Sequence, residues 1–119
     1  MGYGNDVLSE LRKPATELRQ AIPGAYDGFI ALSKGAMADG ALDAKTKELI
    51  ALAIAVSTRC DGCIASHARN AARHGATPEE VADAIAVTFL MTGGPGTVYG
   101  PRAYAAFMEY YERYSKDSD

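Results

Sequence analysis

Eight consecutive apolar residues, LIALAIAV at positions 49–56, constrain this chain more than any other feature. The run has no polar face, so a helix built from it would be buried on every side. A short buried strand is the rival, but three of the eight residues are alanine, which disfavours it. The run falls far short of the ~20 residues that a membrane span needs. It therefore reads as a core helix, AKTKELIALAIAVST, with Asp43 placed to cap its start.

The rest of the chain is helical in pattern too. No stretch alternates apolar and polar residues over a strand's length, and Ala, Leu, Lys and Glu dominate. The expected fold is all-α, a compact bundle of about six helices forming a single domain over residues 1–119. Asp6 can cap a first short helix, VLSELRK, and Pro14 either ends it or begins its continuation, PATELRQA. Pro23 suits the first turn of GAYDGFIALSKGAMA, and DGAL then turns the chain. After the apolar run, Ser57 or Thr58 is available to cap a helix that closes at Gly75, a residue free to adopt the left-handed conformation. Thr77, Pro78 and Glu80 form a capping-box start for the next. GGPG breaks the chain again, and Pro101 starts or kinks a last helix. Along it Tyr104, Phe107, Tyr110, Tyr111 and Tyr114 recur at the spacing of a core stripe.

Charge and termini narrow the function classes. Twelve basic residues against fifteen acidic ones, with no long block of either sign, exclude a basic stripe for nucleic acid. The N-terminal stretch has neither a basic nor an apolar region of an export signal, and Asp6 stands where a myristoylation pattern needs Ser or Thr. The cytoplasm is the expected compartment, with no membrane partner. There a C-x-x-C pair implies redox chemistry or metal binding rather than a secreted disulfide scaffold.

Both cysteines and both histidines lie within STRCDGCIASHARNAARHG. Cys60, Cys63 and His67 stand at i, i+3 and i+7, one face of a helix, and a separation of three allows a disulfide without large backbone movement. A helix N-terminus and a neighbouring imidazole favour the thiolate, whereas Asp61 opposes it unless it caps the first turn. Gly62 leaves room for a substrate to approach. A four-ligand metal site fails, because His74 would lie ~21 Å along the helix from Cys60; a three-ligand site from Cys60, Cys63 and His67, with or without Glu48, is the minor alternative. His74 reads as a helix C-terminal group. No cofactor is expected: haem attachment needs histidine where Ile64 stands, and a thioredoxin motif needs strands.

Adding Glu48 completes a pattern, E-x11-C-x2-C-x3-H, that resembles the signature of the alkyl hydroperoxidase D group in the carboxymuconolactone decarboxylase-like superfamily. The flanking DAKTKELIALAIAVSTRCDGCIASHARNAARHGATPEEVADAIAV and GGPGTVYGPRA are also similar to small members, so the likeness runs from about Pro14 into the last helix. The resemblance implies a helical homo-oligomer, a trimer or hexamer, that reduces peroxides or passes electrons through its cysteines. It implies Cys63 as the attacking thiol, Cys60 as its resolving partner, and Glu48 with His67 as a proton relay, whereas position alone, nearer the helix N-terminus, favours Cys60 as the attacker. The implied partners are a peroxide or disulfide small molecule and a dithiol or lipoyl-type protein reductant. Some peroxidases of the group carry histidine where this chain has Gly62, so weaker thiolate formation is expected and disulfide exchange fits about as well. Two rivals remain: a decarboxylase or lactone-processing enzyme of the same superfamily, and a non-catalytic oligomer with structural or metal-binding cysteines. Oligomerisation has separate support, since so small a chain has little core in which to hide an all-apolar helix.

Overall fold

In the computed structural model, which describes residues 2–117, the chain forms six α-helices and no strand among the described residues. They are α1 (Tyr3–Ala21), α2 (Pro23–Met37), α3 (Ala44–Thr58), α4 (Asp61–Arg73), α5 (Pro78–Thr92) and α6 (Gly94–Asp117). The outermost positions of the single domain expected over 1–119, residue 1 and residues 118–119, lie outside the described residues.

Local capping chemistry sets several of these boundaries. Asp43 accepts a 2.8 Å hydrogen bond from the Thr46 N–H at the start of α3. At α5, Thr77 accepts from the Glu80 N–H at 3.2 Å while its own N–H donates to the Glu80 carboxylate at 2.9 Å, the reciprocal capping box. Gly75 and Gly93 end α4 and α5 with φ of 85° and 65°, where a side chain would be strained.

Other boundaries differ from expectation, and each difference has a cause. Helix α1 starts at Tyr3 rather than after Asp6, because Glu109 of α6 accepts from the Gly4 and Asn5 N–H groups at 2.8 and 3.2 Å. That cap comes from the far end of the chain. Pro14 lies inside an uninterrupted α1, on a stretch exposed throughout, where the carbonyl it leaves unpaired can be hydrated. Helix α6 likewise runs through Gly94 to Gly96 and past Pro101. Its glycines bring it close to α5, since a Cβ at Gly100 would fall 2.8 Å from Ile85.

Leu52, Val56, Ile64, Val81 and Phe107 are the largest fully buried side chains, with alanines of α4 and α6 closing the gaps between helices. Most of the tyrosine-rich stripe faces this core: Phe107 and Tyr110 are buried, and Tyr111 and Tyr114 pack against it, but Tyr104 is exposed and stands outside it. The expectation of burial all round for the apolar run is corrected. Leu52, Ala55 and Val56 are enclosed, yet Ile50 and Ile54 are 45% and 57% exposed. Neighbouring helices leave one side of α3 uncovered, where Ile50 and Ile54 line a hollow with Val87 of α5; Leu90 and Met91 of α5 are exposed as well. Helix α2 buries no residue and touches only α1 and α3. No helix among the described residues is long and apolar enough to cross a membrane.

Candidate active site

The turn from α3 into α4 builds the site. Arg59 adopts the left-handed conformation (φ 57°, ψ 46°), and the Cys60 N–H reaches back 3.1 Å to the Ala55 carbonyl, a Schellman-type closure of α3. Ser57 and Thr58 bond back to the Ala53 and Ala55 carbonyls, so neither caps α4 as the sequence had implied. Cys60 does so instead, its Sγ accepting from the Cys63 N–H at 3.3 Å. The three-residue face on one helix is thus corrected: Cys60 precedes α4, and only Cys63 and His67 lie within it. The pair still has the necessary spacing, with Cα atoms 5.2 Å apart and the sulfurs joined as a disulfide. Cys63 is exposed and Cys60 half-buried.

Glu48 is brought in by the register of α3. It shares that helix's inward stripe with Leu52, Ala55 and Val56, and is only 4% exposed. A buried carboxylate without a partner is costly, and Glu48 has one: its Oε2 lies 2.7 Å from His67 Nδ1. With Nδ1–H donated to the carboxylate, the imidazole tautomer is set and Nε2 is the basic nitrogen. Glu48, His67 and Cys63 all line one cavity of about 490 Å³, walled on the far side by Phe29, Ser33, Lys34 and Met37 of α2. All four residues expected at the site are therefore close together, with Cys60 outside the cavity lining but bonded to Cys63.

Gly62 also lines the cavity, and its small size has a second use: a Cβ there would come within 3.1 Å of Leu11 on α1. Asp61 does not cap α4. Its Oδ1 accepts from the Tyr3 hydroxyl and lies 3.4 Å from Arg102 Nη1. Burial first, then the bond to Asp61, pushes the Tyr3 hydroxyl well above the usual phenol range, so it remains a donor. Tyr3 and Arg102 had no sequence signal at all, being 58 and 41 residues from Asp61. His74 sits at the C-terminal end of α4, its Nδ1 2.8 Å from the Asn70 carbonyl, as its position implied. No group of three or more His, Cys, Asp or Glu side chains among the described residues is arranged to hold a metal ion.

The family model for the carboxymuconolactone decarboxylase family matches residues 23–107. An uncharacterised protein of Cupriavidus necator is 43% identical over 100 residues, which span 84% of this chain and 88% of that protein. A carboxymuconolactone decarboxylase family structure from Legionella pneumophila superposes with a TM-score of 0.87 at 36% identity, covering 91% of this chain and 96% of the other. Another from Thermotoga maritima, for which involvement in an antioxidative response has been suggested, gives 0.78 at 27% identity over 93% and 95% of the two chains.

Proposed function

Because the chain belongs to the carboxymuconolactone decarboxylase family, we propose that it is a thiol-dependent oxidoreductase that reduces an organic peroxide, or exchanges with a small disulfide, by cycling Cys60 and Cys63 between dithiol and disulfide. One observation carries the reading: an exposed cysteine within reach of a resolving partner shares a cavity with a histidine held by a buried carboxylate. The antioxidative role suggested for the Thermotoga maritima relative agrees with it.

In the reduced protein His67, oriented by Glu48, takes the Cys63 proton. The thiolate attacks one oxygen of the hydroperoxide and the O–O bond breaks. The departing alkoxide collects the proton and leaves as an alcohol, while Cys63 becomes a sulfenic acid. Cys60 then attacks the Cys63 sulfur; an S–S bond forms, and the hydroxyl departs as water with the Cys60 proton. A dithiol protein or lipoyl-type group returns the two electrons. Its thiolate attacks Cys63, the exposed sulfur, and expels Cys60, whose leaving sulfur is stabilised by the Cys63 N–H and the start of α4. Its second thiol displaces Cys63 and closes the cycle. A pair that must be re-reduced at every turnover fits the reducing cytoplasm.

The functional particle in this reading is a homo-oligomer, a trimer or hexamer, whose contacts cover the exposed apolar side of α3 and α5. Turnover of tert-butyl hydroperoxide with dihydrolipoamide as reductant tests the proposal. Activity should vanish in Cys63→Ser, and activity unchanged by that substitution would contradict it.

A further inference from the structure

Asp61 poses a problem for any thiolate chemistry at this motif. It follows Cys60 directly and occupies the first turn of α4. There its charge competes with a cysteine thiolate for the positive end of the helix and repels that thiolate. Either effect keeps thiols protonated.

Two distant helices converge on this one carboxylate. From α1, the Tyr3 hydroxyl donates to Oδ1. From α6, Arg102 Nη1 lies 3.4 Å from the same oxygen. Arg102 is also held 4.6 Å above the Tyr99 ring, so its guanidinium has a support independent of Asp61. The ion pair is a poor device for stability, because its side chains are 43% and 45% exposed, and exposed pairs contribute little. Its placement beside a redox pair gives it a different use.

We propose, building on the redox reading above, that Arg102 and Tyr3 are positioning residues that set the reactivity of the cysteine pair by neutralising and holding Asp61. The remaining charged or titratable groups placed at the motif do not take over this task. Arg59, which precedes Cys60, is exposed and serves the end of α3 with its backbone, while the ion pair on Asp61 is made by Arg102. Glu48 of α3 is committed to His67 of α4. Lys34 of α2 lines the far wall of the cavity that Cys63 also lines, and the ion pair on Asp61 is made by Arg102 instead. Tyr99 of α6 offers Arg102 a ring face rather than a charge. Asp61, between the two cysteines in the chain and in the first turn of α4, is thus the carboxylate of the motif whose partners arrive from α1 and α6, and α1, α3 and α6 are the helices packed on α4.

The experiment is a pH titration of the fully reduced protein, following thiolate absorbance at 240 nm and the rate of alkylation by iodoacetamide. Arg102→Gln and Tyr3→Phe should each raise the lowest thiol pKa, cutting the thiolate fraction about three- to tenfold below that pKa. Asp61→Asn should lower it, and Arg102→Lys should largely restore the parent value. In the Asp61→Asn background, Arg102→Gln should have no further effect, because the charge it offsets is gone. Circular dichroism of each variant confirms an intact helical fold. A titration unmoved by Arg102→Gln in a folded protein overturns the proposal. So does a shift that persists undiminished without Asp61, which would mean that Arg102 acts on the sulfurs directly. Thiol titration needs no turnover, so the tuning stands if these shifts appear in a protein that reduces no peroxide, whereas only the peroxidase reading falls.

Discussion

Glu48 on α3 and His67 on α4, 19 residues apart in sequence, meet through a 2.7 Å contact between Oε2 and Nδ1, with the carboxylate almost fully enclosed. The register that buries Leu52 and Ala55 buries Glu48 as well, so the same stripe that builds the core also fixes the acid beneath the imidazole. Packing and chemistry share one helix face.

Loss of the imidazole should therefore cost more than loss of the acid's charge. His67→Asn is expected to reduce kcat for peroxide about 10²- to 10⁴-fold, the usual contribution of a positioned base. Glu48→Gln keeps a hydrogen-bonding group of similar shape but no charge, and is expected to cost roughly 10-fold or more. Steady-state kinetics of both variants, with the disulfide still formed by a strong oxidant, separates proton transfer from the redox pair itself.

The link between α3 and α5 should be sensitive to pH. Lys45 Nζ lies 2.9 Å from Glu80 Oε2. The hydrogen bond between them holds the Glu80 carboxyl below, and the Lys45 ammonium above, their ordinary values. Glu80's contribution is complete above the ordinary carboxylate pKa of about 4.3 and is lost as pH falls through its lower folded value. Lys45's is complete below about 10.4 and is lost as pH rises through its higher folded value. Thermal melts of Lys45→Met should thus differ from the parent between about pH 5 and 10, converge in strong acid, and differ less in high salt.

How much of this was legible in the sequence depends on how far apart the interacting residues are. Asp43, Gly75 and the Thr77–Glu80 box act within a turn or two, and each does what its type and position imply. Glu48, Cys60, Cys63 and His67 were visible because their spacing across two helices is itself a signature. The cap of α4 falls on Cys60 although Ser57 and Thr58 are better capping types. Nothing local announces that Arg59 turns left-handed and carries α3 through them. The Glu109 cap on α1 and the Tyr3 and Arg102 contacts to Asp61 span 41 to 105 residues, and no local pattern encodes them.

Arg59 bears a conformation that glycine adopts without penalty. A non-glycine residue there costs roughly 1–2 kcal/mol, partly offset by the greater entropy a glycine loses on folding. Arg59→Gly is expected to stabilise the fold by about 0.5–1 kcal/mol, read as a melting midpoint some ~2–5 °C higher.

Ile54 and Leu90, 57% and 83% exposed in the single chain, mark the apolar side assigned to subunit contact. Light scattering should give a mass several times the 12.6 kDa of the chain. Ile54→Glu should shift it toward the monomer while helix content by circular dichroism is retained. A monomeric parent protein would refute the assembly.

The claim on which the account rests is that Cys60 and Cys63 trade two electrons with a peroxide. Intact mass and peptide mapping of the reduced protein after one equivalent of tert-butyl hydroperoxide read this directly. The account predicts the loss of two hydrogens, localised to the peptide holding both cysteines and reversed by a dithiol. An unchanged mass, with both thiols still open to alkylation, would contradict it.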